Sequence, residues 1–149
     1  MAKVVKIASP AARAVLTQAT ALRPKRKRVS DGLLPSAAHL AASPTSDHNT
    51  GLAADITHDP ASGFDGNILF EKLRLDKRVS YVIFNGKIWS ITQGEHRYTG
   101  SNSHSHHVHV SIKGDHKNDT SPWFPWLGEA KTINKVKAAI RPLPKKENK

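Results

Sequence analysis

Two short stretches of this chain bring together residues able to hold a metal ion and move a proton. Ser46-Asp47-His48-Asn49-Thr50-Gly51-Leu52-Ala53-Ala54-Asp55 and His104-Ser105-His106-His107-Val108-His109 gather five of the nine histidines with two aspartates. Neutral imidazole and carboxylate suit a borderline-soft divalent ion such as zinc, and a catalytic zinc takes three protein ligands and leaves a fourth position to water. His48, Asp55 and His109 are the candidate three. With no cysteine in the chain, disulfides and thiolate sites are excluded, so a metal must be held by nitrogen and oxygen.

The ligands need rigid backbone, and the flanking pattern supplies it. Alternation over Val108-His109-Val110-Ser111-Ile112 predicts a strand with His107, His109 and Ser111 on one face and Val108, Val110 and Ile112 on the other. Leu52–Ile56 reads as a second strand that sets Ala53 beside Asp55, with Gly51 letting the chain turn in from the His48 loop. Asn85-Gly86, between Ser80–Phe84 and Lys87–Ile91, is a strong hairpin signal. Pro10–Leu22 reads as a helix with Ala14, Leu16, Ala19 and Leu22 along one stripe, and Gly66–Leu75 as another offering Ile68, Leu69, Leu73 and Leu75 to the core. Residues 23–47 read as a long ordered loop with a helical turn near 37–42, and residues 93–106 as polar. A helix is expected over 133–140, followed by a disordered tail. The expected architecture is α+β, a small antiparallel sheet flanked by helices.

A length of 149 residues fits one domain that buries roughly two thirds of its unfolded surface. No run approaches the roughly 20 apolar residues of a membrane span. The net charge of +11 is uneven: +8 over residues 1–30, +6 over 131–149, and −3 over the motif-bearing middle. Basic ends are drawn to any polyanion, whether nucleic acid, anionic lipid or bacterial wall polymer. Arg23-Pro24-Lys25-Arg26-Lys27-Arg28 lacks the interleaved aromatics of a nucleic-acid face, so no specific nucleic-acid partner is expected. Lys6 interrupts the first apolar run, making the N-terminus a poor signal peptide.

The ordinary reading holds for the other histidines, His39, His58, His96 and His116, as surface or satisfied core residues. The His104–His109 run read alone is also compatible with a surface metal-scavenging tract. Its interleaved valines and the upstream ligand pair argue for a strand-borne site. Trp123 and Trp126 are expected to pack the C-terminal segment onto the core rather than bind sugar.

The combination Ser46-x-His48-x-x-Gly51-x-Ala53-x-Asp55, with His107-x-His109 some fifty residues on, resembles the zinc-dependent D-alanyl-D-alanine carboxypeptidases and L-alanyl-D-glutamate endopeptidases. That group includes phage endolysins and shares a fold with hedgehog signalling domains and murein endopeptidases. The resemblance covers roughly residues 30–112. It implies one zinc ion on His48, Asp55 and His109, with His107 beside the water. A further histidine found in some relatives falls on His104. Other relatives place an acidic base three positions before the last ligand, where this chain has His106. The base then falls to a histidine or to a group from elsewhere such as Glu95, or the enzyme is weakened.

The activity so implied is hydrolysis of a peptide bond in bacterial peptidoglycan stem peptides by a zinc peptidase-like domain over 1–130, with 131–149 a basic appendage. Zinc would polarise the scissile carbonyl and lower the pKa of water; His107 would take one of the proton-transfer and oxyanion roles and His104 or His106 the other. Arg26, Arg28 and Arg97 are candidates for a substrate carboxylate, and Ser30, Ser46, Tyr98 and Asn102 for neutral hydrogen bonds. A monomer is expected, made in the cytoplasm and meeting the wall after membrane breach. The rivals are a non-catalytic zinc module binding wall or another partner, and a basic nucleic-acid-binding protein with a structural metal.

Overall fold

Alternation along β1 (Ala53–Thr57) and β5 (His107–Ile112) decides the architecture, because these strands pair directly. In this computed structural model, which describes residues 7–35, 45–100 and 102–127, they join β2 (Val79–Phe84), β3 (Lys87–Ser90) and β4 (Gly94–Arg97) in one antiparallel sheet of order β1-β5-β2-β3-β4. One face carries Ala54, Ile56, Val82, Phe84, Val108 and Val110, all buried in the core with residues of both helices. The fold is α+β, as the sequence leads one to expect.

Helix α1 (Pro10–Leu22) starts where Ser9 Oγ accepts the Ala12 N–H at 3.2 Å, with Pro10 in the first turn. Its fully buried residues are Ala11, Ala12, Val15 and Ala19, whereas Ala14, Leu16 and Leu22 lie at the margin of the core. The expected stripe is therefore rotated. The small face is the one that fits under Trp123, whose indole N–H donates to the Ala11 carbonyl at 3.1 Å.

Helix α2 (Gly66–Leu73) is capped by Asp65, which accepts the Asn67 N–H at 2.8 Å. A Cβ at Gly66 would run into the Phe84 ring, so glycine is what lets the helix start so close to the sheet. Leu69, Phe70 and Leu73 are buried, while Ile68 and Leu75, expected in the core, are exposed. The helix ends at Leu73, short of the expected Leu75.

Asn85 and Gly86 take φ of 50° and 80°, the left-handed pair of a two-residue hairpin turn. Strand β4 was not expected: it is an exposed edge strand whose Gly-Glu-His-Arg sequence carries no apolar alternation. The loop from 23 is ordered, as expected, through a buried ion pair. Arg26 is buried and grips Asp31 through two contacts of 2.6 and 3.1 Å, and also meets Thr20 Oγ1 and the Lys27 carbonyl at 3.1 Å. Asp31 in turn accepts the Thr57 hydroxyl at 2.7 Å, tying this loop to the end of β1.

Trp123 is fully buried and Trp126 packs partly against the core, as expected. Arg78 holds that segment: its guanidinium lies 3.5 Å from the Trp123 ring centre and donates to the carbonyls of Asp119, Ser121 and Pro122 at 2.8–3.1 Å. Among the described residues no helix is long and apolar enough to cross a membrane. The turn near 37–42, His39, the helix over 133–140 and the basic tail lie outside the described residues.

Candidate metal centre

On the sheet face turned away from the hydrophobic core, cross-strand register assembles the site. Asp55 lies opposite His109, Thr57 opposite His107 and Ala53 opposite Ser111, with Tyr81 of β2 opposite Ser111 on its other side. The third element is the 3-10 turn Asp47–Thr50. Ser46 Oγ accepts the His48 N–H at 3.2 Å, and Gly51, at φ 75°, delivers the chain into β1.

Three side chains converge there. His48 Nε2 and His109 Nδ1 each stand 3.2 Å from Asp55 Oδ1, and the three ligand atoms all lie within 4.8 Å of one another. A tetrahedron with bonds of about 2.0–2.1 Å has edges of about 3.3 Å, which the two imidazole–carboxylate separations match. His48 and His109 are buried, and Asp55 is half-buried.

Outer hydrogen bonds orient the rings. His48 Nδ1 sits 2.8 Å from the Leu33 carbonyl, which only accepts, so Nδ1 carries the proton and Nε2 faces Asp55. His109 Nε2 lies 2.8 Å from Ser111 Oγ, leaving Nδ1 toward Asp55. An imidazole lone pair aimed at a carboxylate oxygen is unfavourable unless a proton or a cation lies between. The pKa shifts express the same demand. Burial opposes charge on His48, yet its hydrogen bond to Asp55, the Asp55 charge and the Leu33 carbonyl together raise its pKa. Burial likewise opposes charge on Asp55, but His109 and His48 hold its carboxyl far below the usual carboxylate range. His48, Asp55 and His109 can therefore hold a metal ion.

His107 borders this group, its Nε2 3.7 Å from Asp55 Oδ2. His104 completes the cluster, its ring centre 5.0 Å from that of His107 and 5.7 Å from that of His109. Burial and the neighbouring histidines lower the pKa of His107 and push that of His104 down to about 4, so both are neutral at pH 7.

His104 is held in place by its backbone. It adopts φ 58°, uncommon for a residue other than glycine, with its N–H bound by Asn102 Oδ1 at 3.0 Å. Its carbonyl accepts the Asn85 N–H, and that of Ser103 the Gly86 N–H, each at 2.9 Å, so the hairpin tip straps the loop down. Tyr98 sets its ring edge against His104 at 5.4 Å.

The remaining candidates separate cleanly. His106 is exposed and outside the ring cluster, its carbonyl accepting the His58 N–H at 2.9 Å. Ser46 and Asn102, read as substrate contacts, act as caps that fix His48 and His104. Ser30 is joined through its backbone N–H to Thr57 Oγ1 at 3.0 Å. The Arg26 guanidinium is engaged within the fold. Glu95 pairs with Trp89 and Arg97 with Lys87, residues whose own partners on β2 are the core-facing Val82 and Phe84, so both point to the wrong face for this site. Arg28 is exposed and its side chain makes no hydrogen bond or ion pair among the described residues. His58 accepts the Gly66 N–H at 2.8 Å, a structural role.

Sequence reasoning missed three contributors. The Leu33 carbonyl has no side-chain signature, and Tyr81, whose ring stacks on His109 at 5.4 Å, becomes a neighbour only through the strand order. Ser111 was placed on the correct face but given no task. Burial pushes the Tyr81 phenol up to about 12, keeping it protonated. No protein-family model, curated protein or solved structure matches the chain.

Proposed function

We propose that this chain is a zinc-dependent peptidase acting on the stem peptides of bacterial peptidoglycan, with a fold of the hedgehog/DD-peptidase type. The observation that carries the reading is the convergence of two imidazoles, one through Nε2 and the other through Nδ1, on Asp55 Oδ1, beside two further histidines that are neutral at pH 7. A structural site closes its fourth position with a protein ligand; here Asp55 and His107 retain partial exposure, which favours an open one. The resemblance through the two motifs supplies the substrate class and zinc as the ion.

When bound, zinc supplies Lewis-acid polarisation of a carbonyl and makes water acidic enough to react at neutral pH. The protein's own groups do the rest. His107, neutral and partly exposed, accepts a proton at a ring nitrogen, and the Asp55 carboxylate 3.7 Å away stabilises the imidazolium so formed. His104, held by its strapped backbone, presents a neutral ring N–H as a donor to a developing oxyanion. Arg28, the uncommitted arginine of the three sequence candidates, remains for a substrate carboxylate.

One observation favours a second reading, a non-catalytic zinc module that binds the wall. The position where some relatives carry an acidic base holds the exposed His106, and Glu95 lies on the opposite sheet face. His107→Ala separates the two. The enzyme reading expects stoichiometric zinc with peptide release reduced about 10²–10⁴-fold; the module reading expects no release from the wild type.

A further inference from the structure

Among the described residues Ser111 is the buried polar side chain most completely removed from solvent, with 0 % exposure, and it stands two residues beyond His109 on the same face of β5. A buried hydroxyl must be satisfied, and this one is met at 2.8 Å by His109 Nε2. On its far side lies Tyr81, its cross-strand partner, whose ring also stacks on His109 with an interplanar angle of 20°. The Tyr81 phenol interacts with both the Ser111 hydroxyl and the carboxylate of Asp47, the residue preceding the ligand His48.

The direction of these contacts follows from chemistry. A cation held at His109 Nδ1 needs the lone pair there, which puts the ring proton on Nε2, so the Ser111 oxygen accepts from His109 Nε2–H and its own O–H turns to the Tyr81 phenol. That tautomer leaves Nδ1 without a proton, facing Asp55 Oδ1 at 3.2 Å.

We propose that Ser111, oriented by Tyr81, is a positioning residue that fixes His109 as its Nε2–H tautomer and makes Nδ1 the metal-binding atom. This inference rests on the metal-centre reading but not on peptidase activity.

Nitrogen-15 NMR of the zinc-loaded full chain tests it, together with zinc affinity measured by competition with a chromophoric chelator. The expected result is His109 bound through Nδ1, with a slowly exchanging proton on Nε2. Ser111→Ala should weaken zinc about 10–100-fold, the range seen when an outer hydrogen bond to a ligand is lost. Tyr81→Phe, which keeps the stacked ring, should speed Nε2–H exchange and weaken zinc by less, and Ser111→Thr should recover part of the loss. A structural role alone would change melting temperature without changing Nε2–H exchange. Coordination through Nε2, or wild-type affinity and exchange in both Ser111→Ala and Tyr81→Phe, overturns the proposal. Should Ser111→Ala not fold, Tyr81→Phe alone decides by its exchange rate. Tight zinc through Nδ1 without peptide release would leave this inference standing and remove the peptidase.

Discussion

Ile56 and Asp55 are neighbours in sequence and belong to different worlds, as do Val108 and His109. The same strands that bury Ile56, Val108 and Val110 in the core present Asp55, His107, His109 and Ser111 to the opposite side. The helix-side face is held by non-directional burial, which depends on apolar area and volume. The metal-side face is held by directed contacts of about hydrogen-bond length, each with one partner. The difference predicts that substitutions on one face change stability and those on the other change binding and chemistry.

The sharpest break is His109→Ala. Zinc affinity should fall at least about a thousand-fold, about 4 kcal/mol, with melting of the chelator-treated protein little altered, as read by competition titration and calorimetry. Unchanged affinity would remove His109 from the ligand set. On the other face, Ile56→Ala should cost about 2–5 kcal/mol of stability in urea unfolding while the folded fraction still binds zinc stoichiometrically. Loss of zinc by well-folded Ile56→Ala would show that the two faces are not separable.

Ser46→Ala tests a residue between these extremes. Losing the cap of the His48 turn should cost about 0.5–2 kcal/mol in unfolding and weaken zinc modestly, with turnover per bound zinc preserved. A selective loss of turnover would instead make Ser46 a substrate contact. Smallest of all, Glu95→Gln and Arg97→Ala should leave turnover and zinc affinity at wild-type values, because register turns both away from the metal face.

Acid provides a graded comparison in chelator-treated protein. His104 has its pKa lowered from 6.5 to about 4 in the fold, so between these values the unfolded chain takes up a proton that the fold refuses. Stability should therefore decline as pH falls from about 6.5 to about 4, and lowered His107 adds in the same direction. Raised His48 acts oppositely: its contribution is complete below 6.5 and fades as pH rises through its folded pKa. Asp55, lowered, contributes above 3.8 and loses that contribution only in stronger acid. His104→Asn, suited to the left-handed φ, should flatten the decline between 6.5 and 4 in melting curves. An unchanged slope would assign the dependence elsewhere.

What the sequence disclosed follows the same division. Period-two alternation put His107, His109 and Ser111 on one face, and Asn85-Gly86 announced the hairpin, because both signals are local. Strand β4 was hidden because an exposed edge strand needs no apolar alternation, and the buried face of α1 because its small alanines, more than its leucines, meet the sheet. The Leu33 carbonyl, the pairing of Tyr81 with Ser111 and the grip of Arg26 on Asp31 depend on which loop or strand comes to lie beside which. Likewise, Asn102 and Ser46 offered polar groups that read equally as contacts or caps until their backbone partners were visible.

Mass spectrometry of purified peptidoglycan incubated with zinc-loaded protein, beside its His109→Ala variant, decides whether this face carries out the proposed hydrolysis of a wall peptide. New stem-peptide termini are expected in the wild-type digest alone, their masses naming the bond cut. Intact stem peptides after incubation with protein that holds one zinc per chain would contradict the proposal.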